Sequence, residues 1–445
     1  MRIKTAVVLG GGVAGLAAAT LLSQRGVAVR LLEQAPAITE VGAGLQISPN
    51  GVAVLRAMGL GGQVAARAVC ARAVELRRAA DGGLVTRLDL SAYDRARPDA
   101  ARGAAAPGKA VLNTRASSGF ALGDAGPDDA GSSDAGRSDA GRSETGRSET
   151  AGQGGFYFFH RADLVAMLAD HARAAGVEIV LNACAVSVTP GAPATVQLAD
   201  GTTEQADLVV GADGLRSVTR AAVGPAAPAA FTGQVAWRAV VPASAGDAAP
   251  VAQVFMGPGR HLVSYPLRGG QQRNIVAVEE RQGWTAEGWH QSDSAANLCA
   301  AFAGFGGPVP GWLAQVTQVH LWGLFRHPVA PCWGAEGVAI LGDAAHPTLP
   351  FMAQGANMAL EDAWVLAGAL AGALTWGEGV AAFQVARRAR VVRVVDAATT
   401  NARLYHLRGP VALAAHAALR LGGTLAPGAA LRRYDWIYGH DVTAP

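Results

Sequence analysis

Three short segments, far apart in the chain, carry residue types that could cradle a nucleotide: Gly10-Gly11-Gly12-Val13-Ala14-Gly15, then Gly211-Ala212-Asp213-Gly214, then Gly342-Asp343 followed by Gln354-Gly355-Ala356-Asn357. A turn without Cβ atoms lets backbone N–H groups approach a pyrophosphate at the positive end of a helix. Glu33 lies 18 positions after Gly15, near the spacing of an acid that hydrogen-bonds a ribose diol. This is a dinucleotide signal, and it does not say which dinucleotide. Asp343 follows a buried apolar strand, where a carboxylate needs partners that ligand hydroxyls can supply. Gly355 opens a helix whose free N–H groups can face an anionic ligand edge.

These residues need strands and helices to hold them. Lys4 to Leu9 reads as a buried strand, Ala14 to Arg25 as a helix ended by Gly26, and Val27 to Glu33 as the next strand, a complete βαβ unit. Val74 to Leu90 alternates as a hairpin turning at Asp81-Gly82-Gly83, and Asp200-Gly201 marks a second hairpin. An aromatic strand, Phe156 to Phe159, feeds a helix ending near Ala175, and Asp207 to Gly211 and Val338 to Leu341 read as further buried strands. Alternation in Gln234 to Val241, Val251 to Met256, His261 to Leu267 and Asn274 to Glu279 predicts a mixed sheet with one exposed face. Gly355 to Ala369 and Phe383 to Leu404 read as helices, the second with Arg387, Arg390 and Arg393 on a solvated face.

A chain of 445 residues exceeds one ordinary core, so two or three domains are expected. Its net charge of +3 comes from dispersed arginines, without a basic block to track phosphates, and no nucleic-acid partner is expected. Four scattered cysteines suggest neither a zinc site nor a disulfide framework, in keeping with the cytoplasm. The apolar run Ala6 to Leu22 could be read as a secretion signal, but glycines at nucleotide-binding spacing break it, and no other stretch is long enough to span a bilayer. From Tyr93 to Gly155 the pattern dissolves into the repeat Asp134-Ala135-Gly136-Arg137-Ser138, a composition expected to form a disordered insertion between two strands, with a lid or partner-binding segment as the alternative.

Taken together and in this order, the glycine loop, the Asp207–Ser217 segment, Gly342-Asp343-Ala344-Ala345-His346-Pro347 and Pro350–Asn357 resemble the flavin-binding segments of the FAD-dependent aromatic hydroxylases. Gly42 to Asn50 and Arg433 to Asp441 look most like the salicylate and 3-hydroxybenzoate hydroxylase branch. The resemblance implies an α/β, FAD-binding Rossmann-like fold of the glutathione-reductase type, with a mixed β-sheet substrate domain and a C-terminal helical segment. It divides the chain into an FAD domain from 1–73, 156–222 and 331–375, a substrate sheet from 74–93 and 223–330, an insertion at 94–155, and a helical region from 376 to 445. Cofactor contacts implied on the first strand pair are Gly10, Gly12, Val13, Ala14, Gly15, Glu33 and Gln34, with Gly44 beyond; Arg161 reaches back to the FAD, unless it forms a surface salt bridge. Asp213 and Gly214 belong to a fingerprint for FAD and reduced nicotinamide, although Asp213 could instead cap its turn. Gly342 and Asp343 meet the ribityl and pyrophosphate region, and Gly355, Ala356 and Asn357 the flavin edge.

The activity implied is NAD(P)H-dependent insertion of one atom of dioxygen into a small aromatic or heteroaromatic ring through a C4a-hydroperoxyflavin, with the nicotinamide docking transiently. The protein must hold the ring, exclude water and, for phenols, help remove a proton. Relatives often carry His or Tyr on the strand occupied here by Gly233 to Arg238, where this chain has Gln234 and Trp237. Gln46, Trp237, His261, Tyr265 and Pro350 are the candidates for the pocket, and His346 is either catalytic or structural. A reductase or dehydrogenase of the same fold, a quinone-biosynthesis hydroxylase and a non-catalytic flavin scaffold are the competing readings; no metal is expected, and a monomer or homodimer is.

Overall fold

The computed structural model describes residues 3–38, 43–91, 155–225, 227–243, 248–283, 291–426 and 428–444. The insertion expected over 94–155 lies outside them except for Gly155, as does Gly42. Six strands form the first sheet, in the order Gly334–Ala335, Val338–Ile340, Leu208–Gly211, Thr5–Leu9, Ala28–Leu32 and Glu178–Val180. All pairs but the first are parallel. Buried on both faces, the central strands Thr5–Leu9, Leu208–Gly211 and Val338–Ile340 are apolar runs, and Ala6 to Leu9 are each no more than 2% exposed. Register sets three strand ends level beside that of Ala28–Leu32, because Leu9 pairs with both Leu32 and Gly211, and Gly211 pairs with Ile340. The sequence continues from those ends into the three glycine-bearing segments. Helix Val13–Ser23 packs against helices Arg161–Ala174 and Gly355–Gly372 over this sheet.

Eight strands form the second sheet: Gln291–Asp293, Val319–Arg326, Ala230–Pro242, Gln272–Glu280, Arg260–Leu267, Val251–Gly257, Ala73–Arg78 and Leu84–Asp89. Period-two alternation puts Trp237, Leu262, Ile275 and Ala277 on one face, covered by Leu298, Trp312 and Leu313 of two short helices. The other face was expected to be exposed, and it is not. There Ala236, Val278, Trp322 and Leu324 meet Leu349 and Phe351, while Tyr265 and Leu267 meet Phe156 and Phe158. The polar residues that signalled solvent in the sequence are buried: Gln234, His261 and Asn274 on this inner face, and Arg273 on the helix-covered one, over the Trp312 ring.

The late helix runs Trp376–Leu404, starting ahead of the expected Phe383 because Thr375 and Glu378 form a capping box. Its predicted solvated arginine face holds for Arg393, which is exposed, but not for Arg387, which is 1% exposed, nor for half-buried Arg390, both of which pair with acids of the neighbouring helix. No helix among the described residues is long and apolar enough to cross a membrane.

Candidate active site

The glycine turn is forced by contact as much as by backbone angle. Gly10 has φ +104°, and a Cβ there would sit 2.4 Å from the Ala212 carbonyl oxygen; on Gly15 it would lie 2.0 Å from that of Gly10. Main-chain bonds close the three segments together: Gly10 N–H donates to Leu32 O at 2.8 Å, Ala212 N–H to Leu9 O at 2.9 Å and Leu341 N–H to Gly211 O at 3.1 Å. Glu33 accepts from Gly11 N–H at 2.6 Å and Ala35 N–H at 2.8 Å, which places its carboxylate against the loop, with exposed Gln34 beside it. Gly12 is the N-cap of the helix that begins with Val13 and Ala14, so its first N–H groups are free at the loop. A Cβ on Gly342, at φ +60°, would lie 3.0 Å from that of Ala14, so the late strand end rests on this same helix start.

Asp213 contributes its main chain, since Gly10 faces its Cα and Ala212, while Gly214 takes φ +72°. Its side chain accepts from the Ser217 hydroxyl at 2.6 Å and from the N–H and hydroxyl of Thr219 at 3.1 and 3.0 Å. That is the turn-capping arrangement left open in the sequence. Asn357 is likewise fully engaged: Ser48 N–H donates to its Oδ1 at 2.9 Å, and its Nδ2 donates to Gln46 O at 3.1 Å and Ala353 O at 2.7 Å. The side chain therefore locks strand Gly44–Ile47 to helix Gly355–Gly372, while Gly355 and Ala356 offer first-turn N–H groups to the cleft.

Asp343 is accessible to solvent, although protein surrounds it closely enough for burial to raise its pKa against the pull of His346 and Arg161. Arg161, half-buried by area, is lowered by burial and held up by Asp343. Charges both enclosed and accessible line an internal cleft. The Asp343 Oδ1 lies 4.0 Å from where a Cβ on Gly355 would project, so the carboxylate and the bare helix mouth face one space. Donors and acceptor in that space suit a dinucleotide with polyol and anionic parts, as FAD has.

Beyond the helix mouth, Pro350–Met352 forms a single turn and Ala353 takes φ +52°. This brings Leu349 and Phe351 onto the apolar patch of Ala236, Val278, Trp322 and Leu324. Polar groups on the same sheet face are few. Tyr265 stacks on Phe158 at 4.9 Å and burial drives its hydroxyl far up; Gly44 fits only because a Cβ would fall 2.6 Å from the Tyr265 ring. Arg238 lies over the Trp322 ring at 4.8 Å and is pulled down to about 10 by burial. His261 packs beside Phe351 at 5.6 Å between ring centroids. Gln46 is half-buried on the strand paired to Phe158. Trp237, by contrast, points away into the helix-covered core, donating to Asp293 Oδ2 at 2.7 Å and packing on Phe302.

A family profile described as FAD binding domain matches residues 3–398. The chain belongs to the FAD-dependent aromatic hydroxylases. It is 35% identical to the 3-amino-4-hydroxybenzoate 2-monooxygenase of Streptomyces cremeus over 83% of this chain and 78% of that one. It is 31% identical to the 3-hydroxybenzoate 6-hydroxylase of Polaromonas naphthalenivorans, with 98% and 96% covered. The fold matches a salicylate hydroxylase substrate complex at TM-score 0.72 and 24% identity over 99% and 96% of the chains. It also matches Klebsiella pneumoniae HpxO complexed with FAD and uric acid at 0.75 and 21%, over 98% and 96%. The enzyme is thus an FAD-dependent oxidoreductase of the monooxygenase type. Bound FAD supplies the hydride acceptor and the centre at which oxygen is activated.

Behind the hydroxylase's cofactor cleft lies a buried charge network that sequence reading missed. Asp362 accepts from Arg387 Nε at 2.8 Å and Gly342 N–H at 3.1 Å and pairs with His346 Nε2; Glu361 accepts from Arg390 and from Asn50 Nδ2 at 2.6 Å. Burial would raise Asp362, but His346 and Arg387 overcome it and hold it at about 2. His346 therefore clamps the Gly342 turn to helix Gly355–Gly372, the structural of its two expected roles. The clue was two adjacent acids inside an otherwise apolar helix and arginines at i and i+3 in the next. Neither pattern names its partner without the packing of the two helices.

Proposed function

We propose that this hydroxylase acts on a benzoate ring bearing a hydroxyl or amino group, consuming NAD(P)H and dioxygen. The observation that carries the reading is Arg238, a half-buried guanidinium lowered by desolvation, on the face where Ala236, Val278, Trp322, Leu324, Leu349 and Phe351 make an apolar wall. An apolar wall receives the ring. The buried cation favours an anion, and a ring carboxylate provides one in the plane that a guanidinium recognises. The names of the relatives, two of them acting on substituted benzoates, support the same class.

The test is a panel of aminohydroxy- and hydroxybenzoates, incubated with FAD-loaded enzyme, NADH or NADPH and air, with mass detection of a product one oxygen atom heavier. Reduced-nicotinamide consumption without such a product from any benzoate would refute the reading and favour a reductase. Arg238→Met should raise the Kd of 3-hydroxybenzoate about tenfold to a hundredfold while barely changing that of 3-hydroxybenzyl alcohol. Equal losses for both rings would remove Arg238 from the carboxylate site.

A further inference from the structure

A chain of hydrogen-bonding side chains leaves the ring-binding face and ends at solvent. His261, 2% exposed, places Nδ1 2.6 Å from Nε2 of His406. His406 Nδ1 lies 3.0 Å from Glu280 Oε1, with the Gln234 amide 3.2 Å away. Glu280, 39% exposed, pairs outward with Arg408, which is 65% exposed. Nothing in the flavin-binding role requires this chain. Its inner end is on the apolar wall, where His261 packs between Phe351 and Tyr405, and with Nδ1 engaged the nitrogen left for a ligand is Nε2.

We propose that His261, His406 and Glu280 form a relay that carries the proton of the bound ring's hydroxyl from the buried face to water, an inference that rests on the hydroxylated ring of the proposed substrate. The hydroxyl O–H bond breaks as an Nε2–H bond forms on His261; His261 passes its Nδ1 proton to Nε2 of His406, and His406 passes its Nδ1 proton to Glu280, which delivers it to solvent. The ring keeps the electron pair as phenolate, the form from which an electrophilic oxygen is accepted most readily. Both imidazoles end as the opposite tautomers. The reverse passage, when the product oxygen is reprotonated, restores them, so no further reactant is needed.

The charged and titratable neighbours favour this state. Burial and His406 hold His261 well below the ordinary histidine value, and burial lowers His406 despite Glu280, with Arg408 acting in the same direction as burial. Tyr405, raised by burial to about 12, stays neutral beside them. Both imidazoles are accordingly uncharged at neutral pH, each with one nitrogen to accept a proton and one to release it.

Two measurements on FAD-loaded enzyme decide the matter. Nitrogen-15 histidine spectra, taken without any ring compound, should show a hydrogen-bonded N–H shared between His261 Nδ1 and His406 Nε2 that disappears in His406→Ala. Its absence from the native protein overturns the relay whatever the substrate proves to be. On rapid mixing with 3-amino-4-hydroxybenzoate, a pH-indicator dye should report proton release in step with the phenolate absorbance. His406→Ala should slow that release about a hundredfold and Glu280→Gln about tenfold at unchanged FAD content, and imidazole added to His406→Ala should restore it. Release at the native rate in His406→Ala, or slow release that imidazole leaves unaltered, overturns the proposal. Failure of the substrate reading would show separately, as no oxygenated product from the benzoate panel.

Discussion

At the ends of Thr5–Leu9, Leu208–Gly211 and Val338–Ile340, three turns are held together by main-chain hydrogen bonds and by the lack of side chains on Gly10, Gly15 and Gly342. On the inward face of the eight-stranded sheet, Arg238, His261 and Tyr265 come from two strands and acquire their chemistry from burial, with His406 and Phe351 arriving from elsewhere in the chain. The first region is a backbone device whose requirements are local. The second is a side-chain device whose properties are set by what covers it. The difference teaches that cofactor class can be read from short motifs, while ring chemistry belongs to an interface between distant segments.

The strongest way to break that comparison is from behind the cradle. Arg387→Met leaves Glu361 and Asp362 buried with less compensation and should destabilise the fold by about 3–5 kcal/mol, measured by denaturant unfolding. The pH dependence has a definite sign. Asp362 is depressed from 3.8 to about 2, so its contribution is present above the unfolded value and is lost as pH falls through about 2. Removing Arg387 raises that carboxyl, so acid unfolding of the variant should begin at higher pH; an unmoved acid transition would show that the pair does not stabilise the fold.

A smaller effect should separate cofactor binding from folding. Asp343→Ala takes away an acceptor in the cleft and should weaken FAD about tenfold to a hundredfold, read from flavin retained on gel filtration, with little change in the stability of the apoprotein. Full retention of FAD would contradict the cradle as drawn. The smallest effect sharpens the assignment of sheet faces. Trp237→Phe loses the bond to Asp293, worth about 0.5–1.5 kcal/mol, and should leave the Kd of a benzoate unchanged. A large change in Kd would put Trp237 back among the pocket residues.

Legibility followed the range of the interactions. The strand–turn–helix at Leu9 to Gly15 and both hairpins were readable because glycine positions and apolar runs express steric needs within a few residues. Arg387 was misread because an arginine on a helix looks the same in sequence whether it meets water or two buried acids. Arg238 was passed over, and Trp237 chosen in its place, because alternation shows which residues share a face and not which face meets the cofactor domain. The His261–His406 contact joins residues 145 positions apart and left no local trace.

The sequence by itself determined that the chain cradles a dinucleotide at the ends of parallel strands, since glycine spacing and buried strand composition admit few other outcomes. Tertiary structure alone decided which side of the second sheet became the inner one, which charges were buried, and which histidines met. Those outcomes depend on desolvation and long-range packing, energies that arise only when segments far apart in the chain exclude water from each other.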